Sequence, residues 1–380
     1  MQSSSNKGRV LVAMSGGVDS TVAAIMLHQQ GYEVIGITMK TWDYATAGGS
    51  KKETGCCSLD SINDARTVAV DMGFPHYIVD IRDEFGGSVI DDFVSEYIAG
   101  RTPNPCVLCN THIKWDALLR RADQMECEFI ATGHYAKIRK EADRYVISRG
   151  LDTWKDQSYV LWGLSQECMA RTIFPLGGFH KQEIKNMVLE MGYPALAKKP
   201  ESYEICFIPD NDYRGFLKRK VEGLEERVDG GAFLNSNGEE IGKHQGYPFY
   251  TVGQRKGLGK AFGDPMYVTE IRPDSNTVVL GPVEELNRNG MYVGNLNMQK
   301  YSSIETGFET MTKVRYKDEG TMAQLFPIKS RTNEDRMKVV FGAHVAAIAP
   351  GQSAVFYEGE DVIGGGHIDS SFIVEEEPAH

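Results

Sequence analysis

Residues 13–20, Ala13-Met14-Ser15-Gly16-Gly17-Val18-Asp19-Ser20, limit the folds open to this chain more than any other stretch. The apolar run Val10–Met14 before them predicts a buried strand, and Thr21–Gln30, closed by Gly31, predicts a helix. A glycine-rich turn from strand to helix aims backbone N–H groups and a helix N-terminus at one spot, which suits phosphate. Ser15 and Ser20 can add hydroxyl donors, and Gly16 and Gly17 let a ligand approach the backbone. The Gly-Lys-Ser/Thr ending of a Walker A loop is missing, and so is Gly-x-Gly-x-x-Gly.

Strand and helix patterns then alternate to about residue 135. Glu33–Met39 and Tyr77–Ile81 read as strands, and Phe129–Gly133 as a further short one. Ile62, Ala65, Val68, Ala69 and Met72 stand at helical spacing before Gly73, and Asp91–Ala99 and Ile113–Met125 read as helices. Such alternation predicts an α/β fold with a doubly wound parallel sheet, whose ligands bind at the C-terminal strand ends. A mobile loop is expected at 41–58. Beyond about residue 210 short β-type runs prevail: Tyr267–Ile271, Thr277–Leu280, Met311–Tyr316, Met337–Phe341 and Ser353–Tyr357. The chain of 380 residues is therefore expected to divide into an α/β domain (1–210), a small central module (211–275) and a C-terminal β-barrel (276–380).

A formal charge of −11 argues against a protein that coats nucleic acid nonspecifically, and leaves room for a local basic face. Lys137–Lys140, Lys198-Lys199, Lys218–Lys220 and Arg255-Lys256 are the candidate segments, each with the alternative of a solvated surface. No run approaches a membrane span, and the polar start, Met1 to Lys7, has no signal-peptide core. Seven cysteines without a disulfide framework fit a reducing, cytoplasmic setting.

Thr102-Pro103-Asn104-Pro105-Cys106-Val107-Leu108-Cys109-Asn110 is the second signal. Two prolines predict a stiff non-helical segment, and a helix starting just after it could lower a nearby thiol pKa. The two cysteines could share a metal or redox site, or simply be buried in a proline-rich loop. Cys206, within Glu204-Ile205-Cys206-Phe207-Ile208, reads on its own as a core residue.

Ser-Gly-Gly-Val-Asp-Ser resembles the pyrophosphate loop of ATP pyrophosphatases. Together with Asn104-Pro105…Cys109-Asn110 and Ile205-Cys206-Phe207-Ile208, it resembles the tRNA-specific 2-thiouridylase family (MnmA type). Met39–Trp42, Ala131–Tyr135, Lys155–Tyr159, Gly253–Gly259, Val314–Tyr316 and Pro350–Tyr357 match as well, so the resemblance runs from about 8 to 367. It implies an adenine nucleotide alpha hydrolase-like fold and transfer of sulfur to the wobble uridine of the tRNAs for Lys, Glu and Gln. ATP, with Mg²⁺, would adenylate the uridine 2-oxygen. Ala13–Ser20, Met39 and Gly133 would hold ATP. Cys206 would carry a persulfide from a sulfur-donor protein. Cys109 would be nucleophile or resolving thiol, leaving a Cys109–Cys206 disulfide. Asn104, Pro105 and Cys106 would meet the target base. His134, Lys155, Asp156, Gln157, Arg315, Tyr316 and Gln352 would meet the rest of the anticodon stem-loop.

Cys106 departs from the pattern, since some members carry a proposed acid/base Asp there. Cys106, Cys109 and Cys206 could instead ligate a 4Fe-4S cluster that delivers sulfide. Two other classes stay open: a small-molecule ATP pyrophosphatase ligase, and a zinc-stabilised RNA-binding protein built on Cys56, Cys57, Cys106 and Cys109.

Overall fold

The apolar runs of the first two hundred residues form the expected sheet. The computed structural model describes residues 7–42, 58–199, 205–259, 262–329 and 335–374. The predicted loop at 41–58, but for its ends, and the Cys56-Cys57 pair lie outside them. Four strands come first: β1 (Arg9–Ala13), β2 (Glu33–Lys40), β3 (His76–Asp80) and β4 (Phe129–Ala131). A hairpin follows, β5 (Ala136–Glu141) with β6 (Arg144–Arg149), and then the short β7 (Thr172–Ile173). The parallel sheet runs β3-β2-β1-β4-β7. β1 is buried on both faces, with Val10, Leu11 and Val12 at 0% exposure, as its unbroken apolar run requires. Helices α1 (Val18–Gln29) and α2 (Leu59–Met72) connect β1 to β2 and lead into β3. Ser58 caps α2 by accepting the Ser61 N–H, and Gly73 ends it in the left-handed region at φ 77°. Strand order reverses at β1, with β2 on one side and β4 on the other, so a crevice opens where β1 ends.

The stretch around the two cysteines differs from expectation. Residues Pro105–Leu108 are already helical, Cys109–Lys114 continue in wide π-type turns, and α3 (Trp115–Gln124) follows. Proline lacks only an N–H that a first helical residue would leave unused, so Pro105 begins the helix rather than blocking it. Further on, α4 (Lys181–Glu190) packs against α1.

Two compact units divide the chain. One holds Met1–Val89, Cys106–Tyr213 and Glu360–Val362; the other holds Ile90–Pro105, Arg214–Gly359 and Ile363–His380. The second contains a four-stranded sheet of β8 (Gly231–Leu234), β9 (Glu240–His244), β10 (Tyr267–Arg272) and β11 (Thr277–Gly281), in the order β10-β11-β8-β9. It also contains a six-stranded barrel of β12 (Asn287–Met298), β13 (Phe308–Lys313), β14 (Thr321–Ile328), β15 (Arg336–Ala346), β16 (Ser353–Glu358) and β17 (Asp361–Phe372). Pairing of β12 with β17 closes it around Met291, Val293, Leu325, Val339, Phe356 and Ile363. The strand expected over Met311–Tyr316 stops at Lys313, because Asp318 accepts the Val314 N–H and turns the chain.

Candidate active site

The turn between β1 and α1 is built by its own serines. The Ser15 N–H donates to Ser20 Oγ at 3.0 Å, the two hydroxyls are 3.2 Å apart, and Ser20 Oγ donates to the Gly17 carbonyl at 3.2 Å. Gly17 is the N-cap and makes no side-chain cap, so among the described residues no side chain caps the first-turn N–H groups of α1, which suits them to an anion. Gly16 has φ 71°, and a Cβ there would lie 1.9 Å from the Ser61 carbonyl oxygen. Gly133, just past β4, is pressed from the other side: its Cβ would lie 2.8 Å from Asp19 C and Ser20 N. Met39 is half-buried at the end of β2. Ala13, Met14, Met39 and Gly133 thus gather at the C-terminal ends of neighbouring strands.

Four residues that the motifs did not single out for this site support the loop. Thr38 Oγ1 donates to the Met14 carbonyl at 2.7 Å. The Tyr135 hydroxyl donates to Asp19 Oδ1 at 2.7 Å, and Lys181 Nζ donates to both Asp19 oxygens at 2.6 and 2.7 Å. Lys199 Nζ donates to the Gly16 carbonyl at 3.0 Å and pairs with Asp64. Lys198-Lys199 reads as a basic surface segment, yet Lys199 belongs to the loop's support. A single lysine carries no local pattern, so only the fold could reveal it.

Cys109 is buried on the wide-turn helix, whereas Cys106 reaches solvent. Cys106 still has protein crowded about it, and that desolvation raises its thiol pKa, with Lys114 pulling the other way. Cys106 stands in the first turn of the helix Pro105–Leu108, and there desolvation outweighs the opposing pull of Lys114. Lys114 Nζ donates to Asn110 Oδ1 at 3.2 Å, and buried Asn110 donates to the Val160 carbonyl at 3.1 Å. Cys206 is exposed. Its neighbour Phe207 is fully buried and meets Phe85 edge-on at 5.8 Å, and the short helix Arg82–Phe85 packs on the turns that carry Cys109. One aromatic contact thus draws the Cys206 segment toward the Cys109 helix. Among the described residues no three His, Cys, Asp or Glu side chains are placed to hold a metal ion. Of the three cysteines proposed as alternative iron–sulfur ligands, Cys106 and Cys206 are exposed and Cys109 is buried. Cys127 and Cys168 are buried within the same compact unit.

The remaining candidates are spread over both units. His134 packs against Trp115 and Phe174, with ring centroids 5.6 and 6.0 Å away, and its Nδ1 lies 2.7 Å from Thr132 Oγ1. Desolvation, aided by Lys114, lowers its pKa to about 3, so it is neutral near pH 7. Asp156 accepts the N–H groups of Gly150 and Ser158, and Gln157 exchanges two hydrogen bonds with the Tyr135 backbone. Both shape their own loop, with half-buried Lys155 beside them. In the second unit, Gln352 Nε2 donates to the Thr102 and Pro103 carbonyls, each at 3.0 Å, and so holds the strap that carries Asn104 and Pro105. Arg315 and Tyr316 are exposed on the turn after β13, where Arg315 donates to the Ala346 carbonyl at 3.1 Å.

Three family models cover the chain: a tRNA methyl transferase HUP domain over 8–210, a tRNA methyl transferase PRC-barrel domain over 215–282, and an aminomethyltransferase β-barrel domain over 288–368. The tRNA-specific 2-thiouridylase MnmA of Cytophaga hutchinsonii is 66% identical, over 97% of this chain and 99% of its own. The protein of the same name from Amoebophilus asiaticus is 65% identical over 96% of each chain. That of Salinibacter ruber is 56% identical over 99% of this chain and 98% of its own. These likenesses run the whole length of a chain whose fold and glycine-lined loop agree with them, and the chain belongs to the tRNA-specific 2-thiouridylase MnmA family.

Proposed function

We propose that this chain replaces the 2-oxygen of the wobble uridine in the tRNAs for Lys, Glu and Gln with sulfur, consuming ATP. The observation that carries the reading is the uncapped N-terminus of α1 at the reversal point of the sheet, in a chain so close to named 2-thiouridylases. The pyrophosphate end of ATP would rest on the Ser15–Ser20 loop and the first-turn N–H groups of α1, with Met39 and Gly133 bounding the nucleotide. The uridine 2-oxygen attacks the α-phosphate and pyrophosphate leaves, which turns a poor leaving group into AMP. Mg²⁺ would take its ligands from phosphate oxygens and water, because Asp19 is engaged by Lys181 and Tyr135.

Cys206, exposed, would accept sulfur from a donor protein as a persulfide, and Cys109 would attack its inner sulfur. That attack leaves a Cys109–Cys206 disulfide and frees the outer sulfur for carbon 2, with AMP departing. A thiol reductant resets the enzyme. Asn104, Pro105 and Cys106 would meet the target base. Arg315 and Tyr316 would meet the anticodon stem-loop, and His134, Lys155–Gln157 and Gln352 would shape the surfaces around it. Among the described residues no helix is long and apolar enough to cross a membrane, and the reading places the chain with its tRNA in the cytoplasm.

The test incubates the protein with ATP, Mg²⁺, a persulfide source and unmodified tRNA, and reads 2-thiouridine by mass spectrometry. Cys206→Ser should abolish the product and retain ATP-dependent pyrophosphate release. Undiminished thiolation by Cys206→Ser would overturn the sulfur route.

A further inference from the structure

Asp19 poses an electrostatic problem for a loop that takes phosphate. Its carboxylate stands in the first turn of α1, beside that turn's N–H groups, and a negative charge there repels a triphosphate. Lys181 meets it. The lysine is only 7% exposed, and Nζ lies 2.6 and 2.7 Å from the two carboxylate oxygens. Nζ also lies 5.7 Å from the Tyr135 ring centroid, and the Tyr135 hydroxyl donates to the same carboxylate. Lys181 is itself held at its backbone, where its N–H donates to Asp152 Oδ2 at 2.9 Å as the first residue of α4. The pair is thus a fixed, largely buried contact between two helices rather than a loose surface bridge.

We propose that Lys181 is a positioning residue for the ATP loop: it neutralises Asp19 and locks the first turn of α1 against α4, so that the loop presents a net positive face to the phosphates. The inference rests on the reading that this loop binds ATP. Lys181 acts through Asp19 and need not touch the nucleotide. Loss of the lysine leaves a partly buried carboxylate uncompensated beside the phosphate site. Loss of both charges removes the repulsion together with its remedy.

The experiment measures ATP affinity of the full chain directly by calorimetry, without tRNA, and KM and kcat for ATP in the thiolation assay. Lys181→Met should weaken ATP binding and raise KM by about tenfold or more, with kcat changed far less. Lys181→Arg should restore most of the loss, because it keeps the charge. Asp19→Asn/Lys181→Met should bind ATP better than Lys181→Met alone. A melting curve accompanies each variant, and if Lys181→Met does not fold, the double variant and Lys181→Arg carry the comparison. The proposal is overturned if Lys181→Met lowers the melting temperature and leaves ATP affinity intact. It is equally overturned if removing the Asp19 charge gives no recovery, which would make Lys181 a direct ligand. Failure of the wild-type chain to bind ATP at all would instead overturn the underlying reading.

Discussion

Lowering the pH should expose how His134 is held. Its pKa falls to about 3 in the folded chain, against about 6.5 when unfolded. A histidine depressed in this way binds a proton only after unfolding, so its neutral form supports the fold fully above about pH 6.5. That support drains away as the pH falls from there toward 3. Between pH 7 and pH 5 the difference is about 2 kcal/mol at full burial, and about 1–2 kcal/mol for a ring that solvent partly reaches. Packing against Trp115 and Phe174 and the Lys114 charge are the sources of the shift. Imidazole proton shifts followed by NMR from pH 8 to 4.5 should show that the His134 ring, assigned by the loss of its signal in His134→Gln, does not titrate, while buried His244, lowered to about 4, begins to shift only at the acid end. The same variant should flatten the fall of the urea midpoint between pH 7 and 5. A His134 midpoint near 6.5 would refute the argument and allow a cationic contact to tRNA. The present geometry allows only a neutral one near pH 7.

Gly133→Ala should weaken ATP binding at least about tenfold and destabilise the chain by about 1–3 kcal/mol, since its Cβ meets the α1 backbone at 2.8 Å; unchanged affinity in calorimetry would show that this close approach is idle. Gly16→Ala should be worse, because a carbonyl at 1.9 Å is joined by a left-handed φ, and loss of folded protein on purification is the expected result. Arg315→Glu should reduce tRNA affinity strongly in filter binding while leaving ATP affinity alone; a parallel fall in both would assign the residue to structure. Arg139→Ala removes the pair with Asp361 at 2.8 Å and leaves a buried carboxylate less compensated, so stability should fall by about 1–3 kcal/mol in a urea titration, the half-exposed guanidinium setting the lower end.

Particular elements show what could be read from the chain. β1, α1, β2 and α2 were legible because an unbroken apolar run, a helical period and a glycine stop are local patterns. β17 carries no such local pattern, because Gly364-Gly365-Gly366 interrupt its apolar residues. In the barrel a Cβ at Gly366 would lie 2.5 Å from the Gly294 carbonyl, so the glycines are there to let β12 close on β17. The helical state of Cys106 is not legible from its neighbours, because proline at a first helical turn and proline in a rigid loop look alike locally. Gln352 was legible only as a motif residue, and its contact with a strap 250 positions earlier could not be seen.

The sequence by itself determined the strand-turn-helix that can receive phosphate, the family and the cysteines with redox chemistry, because these depend on residue type and short-range spacing. Only the tertiary structure decided which side chains serve the loop. Lys181, Tyr135 and Lys199 reach residues 13–20 from 116 to 183 positions away. Such ion pairs and hydrogen bonds act over a few ångströms, and only a folded chain sets those distances.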